Sequence, residues 1–171
     1  MSDTFFLYIR QLELIAFFSG YPLLYTIVLF IFENKPVKNN FKSNIFSLLP
    51  LAYALAGSLY LGLQLKNLYP VYSFKNIQLT LQQSWLIGWA VLSVFFWLPV
   101  LRKKTVVSLM HSLVFFFLLI RDFFLQWGAS ATDNNILKND MKLYADSLLL
   151  NLAAFALIVF LSFLFSHYKK R

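Results

Sequence analysis

The sequence predicts an all-α fold, a polytopic membrane bundle of five transmembrane helices with its N-terminus outside and its C-terminus in the cytoplasm. Three observations lead there. Hydrophobic residues fill 60% of the 171 positions and charged residues 13%, about half the charge of an ordinary soluble domain. Five apolar runs are long enough to cross a hydrocarbon core of about 30 Å, which takes about 20 helical residues. Basic residues collect at alternate ends of these runs, the pattern that sets orientation in a bilayer.

The first run, 12–32, follows a segment carrying Asp3 and Glu13 in place of a basic cluster. It is also too long for a signal-peptide core and is expected to remain as a helix. Gly20-Tyr21-Pro22 interrupts it, and a proline deep in a helix frees a carbonyl and kinks the axis. The second run, 45–65, follows a polar segment, 33–44, that is expected to be irregular; Pro50 lies near the start of the run, where a proline costs little. The third, 84–101, has Trp85 at its outer end and Trp97 near its inner end, where amphipathic rings prefer the interface. Four residues, Arg102 to Thr105, lead into the fourth run, 106–127, so the third and fourth helices form an antiparallel hairpin. The fifth run is 145–166.

The outer connections 66–83 and 128–144 are half apolar, and Asp133 or Asn134 is placed to cap a helix that begins before the membrane. Ala52 with Ala56, Ser58 with Gly62, Ser84 with Gly88, and Ser147 with Asn151 recur at helix spacing and permit close approach of backbones. The spans take up most of the chain, so residues 1–171 read as a single transmembrane domain.

Charge orients the bundle. Lys35, Lys38, Lys42, Arg102, Lys103, Lys104, Lys169, Lys170 and Arg171 fall on one side against Glu33 alone. That side is expected to be cytoplasmic and to contact anionic lipid headgroups, each basic residue contributing about 1 kcal/mol near the surface. On the opposite side, Lys66, Lys75, Lys138 and Lys142 balance Asp3, Asp133, Asp140 and Asp146. The basic runs are short and sit at span ends, which argues against nucleic-acid binding.

Other classes fall away by composition. Twenty Phe, nine Tyr and four Trp are too many aromatics for a disordered chain. The absence of Cys removes disulfides, thiolate metal sites and Cys nucleophiles. No His–Glu zinc motif, Gly-rich phosphate loop or nucleophile elbow is present, so neither a metal nor a cofactor is expected. The two histidines, His111 and His167, would have to meet to ligate a haem.

Ionisable groups within a bilayer are costly and are functional candidates by default. Arg121 and Asp122 fall about 8–9 Å inside the outer end of the fourth span at 1.5 Å per residue. Arg10 and Glu13 sit at the outer end of the first span, Gln64 at that of the second, Gln82 and Gln83 before the third, and Asn151 inside the fifth. All five helices thus place a polar group at similar depth. This predicts an outward-facing polar layer in which one of Arg121 and Asp122 pairs with Glu13 or Arg10 and the other with Asn151 or a neighbouring subunit, either as a solute site or as a clamp between helices. In the drier inner half, His111 is the main titratable residue and the candidate proton relay.

The functional expectation is a small channel or transport-type protein of a bacterial cytoplasmic (inner) membrane, acting as a homo-oligomer. Arg10, Glu13, Arg121, Asp122 and Asn151 would coordinate solute or gate. The competing class is a non-catalytic accessory or scaffold subunit of a larger membrane complex. An intramembrane enzyme acting on lipid has no motif to support it.

Overall fold

The computed structural model describes residues 3–33, 39–68, 73, 85–129 and 134–168, with side chains for 11–32, 44–68, 73, 85–124 and 141–168. Among the described residues the secondary structure is helical and no strand occurs. Four stretches are long and apolar enough to cross a membrane: Gln11–Phe32, Asn44–Leu68, Thr105–Phe124 and Met141–Tyr168. This is a membrane protein.

The first crossing is two helices, α1 (Asp3–Phe18) and α2 (Gly20–Glu33), divided at Ser19. Pro22 has no N–H for the carbonyl of Phe18, and its ring crowds that turn. The hydroxyl of Thr26 donates back to the Pro22 carbonyl at 2.9 Å. α3 (Asn39–Leu68) begins earlier than expected, so residues 39–43 are helical where an irregular loop was predicted. Pro50 therefore lies in the fourth turn of this helix and not in its first.

The third predicted span differs most from expectation. It consists of α4 (Trp85–Leu92), a 3₁₀ segment (Ser93–Trp97) and the single turn α5 (Pro99–Arg102). Leu98 between them is extended, with φ −65° and ψ 137°, because a residue preceding proline is pushed out of the α region. The unbroken apolar part, Trp85–Trp97, is 13 residues. It reaches about 22 Å along its axis, short of a hydrocarbon core of about 30 Å.

α6 (Thr105–Ala129) and α7 (Asn134–Tyr168) complete the bundle. Residues 134–144 extend α7 beyond the predicted span as helix. The segments 69–72 and 74–84 lie outside the described residues.

α3 is the central element and packs against α1, α4, α6, α7 and the 3₁₀ segment. Two glycines set close approaches. A Cβ on Gly57 would stand 2.0 Å from Ser93 Oγ, and one on Gly20 would stand 2.3 Å from the backbone oxygen of Ser147. Around α3 the core is aromatic. Phe18 stacks on Phe115 with centroids 4.7 Å apart, Tyr21 lies 4.5 Å from Tyr53, and Phe18 meets Tyr53 and Tyr60 edge-on. All of these rings are buried. α7 lies at the periphery and leaves Leu149, Phe160, Phe163 and Phe165 exposed.

Candidate functional site

Three groups of polar side chains among the described residues lie at different depths along the bundle. The first joins α1 to α6. Gln11 Nε2 donates to Asp122 Oδ2 at 3.1 Å, and Arg121 donates to Asp122 Oδ1 through Nε at 3.1 Å and Nη2 at 2.9 Å. Neighbouring residues on a helix point about 100° apart, yet the Arg121 side chain is long enough to fold back on Asp122. The Arg121 side chain is 60% exposed and that of Asp122 27%. At such exposure an ion pair contributes little to stability. Asp122 thus takes Arg121 and Gln11 as partners, the latter a residue the sequence reading did not single out. Glu13 is half-buried, two positions from Gln11 and thus about 200° around the helix. The side chain of Arg10 lies outside the described residues.

The second group holds the break between α1 and α2 against α7. Ser19 Oγ donates to the Ile15 carbonyl at 2.7 Å and stands 3.0 Å from Ser147 Oγ. The Gly20 N–H, at the first position of α2, donates to Ser147 Oγ. Asn151 Nδ2 donates to the carbonyls of Phe17 at 3.1 Å and Ser147 at 2.9 Å. Backbone groups at helix ends lack intrahelical partners, and these side chains supply them at a buried position. Asn151 is 1% exposed. Phe17 lies six residues beyond Gln11, about 9 Å deeper along α1, so Asn151 is in a different layer from Asp122. Ser147 and Asn151, spaced for helix packing, act together on one helix break.

The third group surrounds His111 on α6. Its Nε2 is 3.0 Å from the carbonyl oxygen of Trp89, and its Nδ1 is 2.7 Å from the Tyr53 hydroxyl. A carbonyl only accepts, so Nε2 carries the proton; in the neutral ring Nδ1 then accepts from Tyr53. The exchange with Trp89 is reciprocal, since the indole Nε1 donates to the His111 carbonyl at 3.2 Å. The two rings stack 4.6 Å apart and 7° from parallel. The Trp89 carbonyl belongs to the last turn of α4, where the helix tightens into the 3₁₀ segment. A second tyrosine makes a similar bond nearby, with Tyr21 Oη 2.8 Å from Ser108 Oγ. Ser108 donates to the Thr105 carbonyl at 2.8 Å, so Tyr21 is the donor.

No family model, no curated protein and no solved structure matches this chain.

A proton step through His111 requires one of its two ring bonds to open. Among the described residues no group of three or more His, Asp or Glu side chains is placed to hold a metal ion. Of the residues expected to face lipid headgroups, Arg102, Lys103 and Lys104 are exposed in and after α5. Lys35, Lys38, Lys169, Lys170 and Arg171 lie outside the described residues, as does the side chain of Lys42. Tyr53, Tyr21 and Trp89 were the signal available in the sequence for the third group. Each carries a polar tip deep in an apolar run, and a buried tip needs a partner.

Proposed function

We propose that this protein is a non-catalytic accessory or scaffold subunit of a larger complex in a bacterial cytoplasmic membrane. The observation that carries this reading is the closed interior. Phe18, Tyr21, Tyr53, Phe96 and Phe115 are buried in ring-to-ring contact around α3. Ser19, Ser108, His111, Ser147 and Asn151 direct their bonds to neighbouring helices of the same chain. Such an arrangement favours a rigid body, while the bare apolar side of α7 offers area to larger partners.

In this reading the chain crosses the bilayer five times, N-terminus out and C-terminus in, with Trp85–Arg102 as an interrupted third crossing. Two contacts favour that path. Trp97 Nε1 donates to Ser58 Oγ near the middle of α3 at 2.9 Å, and Arg102 shares a cleft with Asn44 near its start. The segment therefore runs antiparallel to α3 toward the basic end.

A second reading, a channel or transporter assembled from several copies, has one observation in its favour. The Arg121 side chain beside Asp122 is 60% exposed, where a neighbouring copy would complete a polar passage. Asp122→Asn and Arg121→Gln separate the two. The accessory reading expects no solute flux in proteoliposomes of the wild type, and any defect in the variants to appear in complex assembly. A wild-type flux altered by either substitution, with folding and assembly intact, would replace it by the transport reading.

A further inference from the structure

We propose that the cleft between α3, α5 and α7 holds one anionic glycerophospholipid, its phosphate at Arg102 and an acyl chain running between α3 and α7. The cleft encloses about 570 Å³, within the range of about 300–1,000 Å³ typical of ligand sites. Helix periodicity builds its walls. Asn44, Ser47 and Leu51 share one face of α3, and Ile158, Ser162 and Phe165 share the facing side of α7.

Its two ends differ in chemistry. Asn44 stands where the apolar stretch of α3 begins, and Ser47, Ser162 and Arg102 line the same cleft. Leu51 lies seven residues on from Asn44, about 10 Å along the axis, and packs with Ile158 in a small apolar cluster. Hydrogen-bonding and cationic groups at the end of a span, with hydrocarbon surfaces below, repeat the order of groups along a phospholipid.

The charge complement is one-sided. Among the described residues no carboxylate lines the cleft, and the Arg121–Asp122 ion pair lies at the other end of the bundle. Arg102 thus has its planar donors available for a phosphate, which guanidinium groups bind in bidentate fashion. Lys103 and Lys104 follow it and are exposed, and basic pockets between transmembrane helices are a known basis for headgroup selection. The proposal rests on the chain spanning a bilayer; it depends neither on which end is cytoplasmic nor on the accessory reading.

Native mass spectrometry tests it, on protein exchanged into mild detergent with equal amounts of phosphatidylglycerol and phosphatidylcholine. The wild type should retain one phosphatidylglycerol per chain in preference to phosphatidylcholine. Arg102→Gln should reduce that retention about five-fold, the effect of losing one basic residue's attraction at the surface. Ser162→Trp, which fills the cleft and leaves every charge in place, should abolish it. Lys103→Gln/Lys104→Gln should keep the lipid, because neither lysine lines the cleft. Thermal unfolding of each variant confirms that it is folded. Equal retention of both lipids, or retention unchanged in both Arg102→Gln and Ser162→Trp, would overturn the site. Loss confined to the double lysine variant would also overturn it, in favour of a diffuse basic surface.

Discussion

The Tyr53 hydroxyl donates to Nδ1 of His111 across 2.7 Å, and this bond joins α3 to α6 at the centre of the bundle. The opposite nitrogen of the same ring is bound to the Trp89 carbonyl, so one imidazole ties three elements together. Tyr53→Phe keeps the ring packing and leaves a buried acceptor without a donor. That costs about 1–3 kcal/mol, to be read as a lower thermal midpoint in detergent. An unchanged midpoint would mean that the His111 network contributes nothing to stability.

Gly57 and Gly20 both sit at close crossings, but they differ in what blocks a side chain. At Gly57 the nearest atom is Ser93 Oγ; at Gly20 it is the Ser147 backbone. Gly57→Ala should destabilise by about 1–3 kcal/mol through overpacking, and Ser93→Ala or Ser93→Gly should recover part of the loss. Gly20→Ala should destabilise at least as much, with no recovery from Ser147→Ala. Unfolding of the single and double variants checks the contrast; recovery at Gly20 would contradict it.

Ser147 and Asn151 hold the α1–α2 break. Interhelical hydrogen bonds in membranes contribute about 0.6 kcal/mol on average and up to about 1.7 kcal/mol. Asn151→Leu and Ser147→Ala should each cost that order of stability and should be non-additive, because both act on residues 17–20. A double-mutant cycle measures this. Strict additivity would separate the two side chains into independent contacts.

The absence of Cys makes orientation directly testable by single-cysteine labelling. With the five-crossing path, a cysteine at position 103 should react with a membrane-impermeant maleimide only after the membrane is opened. A cysteine at 66 should react in intact cells. The reverse pattern would invert the orientation, and labelling of both positions from one side would remove a crossing between them.

Long apolar helices were legible because a run of about 20 apolar residues has few alternatives in a bilayer. The split at Ser19 was signalled by Pro22. The interruption at Leu98 was also written in the sequence, as the residue before Pro99, but Pro99 lies so near the end of the predicted span that a continuous helix still fitted. Pro50 misled in the opposite direction, since the polar residues 39–43 hid about one and a half turns of helix before the apolar run. The pairing of polar groups was the least legible feature. Counting along an axis gives the height of a residue, whereas a bond also needs its direction around the helix and the crossing of its neighbour. Asp122 and Asn151 therefore looked level in the sequence, and in the fold they bond to Gln11 and to the Phe17 carbonyl, six residues apart on α1.

Purification of the native complex in gentle detergent, with mass determination and identification of every component, tests the central claim most directly. The accessory reading predicts larger membrane proteins in fixed stoichiometry with this chain. A homo-oligomer without companions, conducting solute in proteoliposomes, would contradict it.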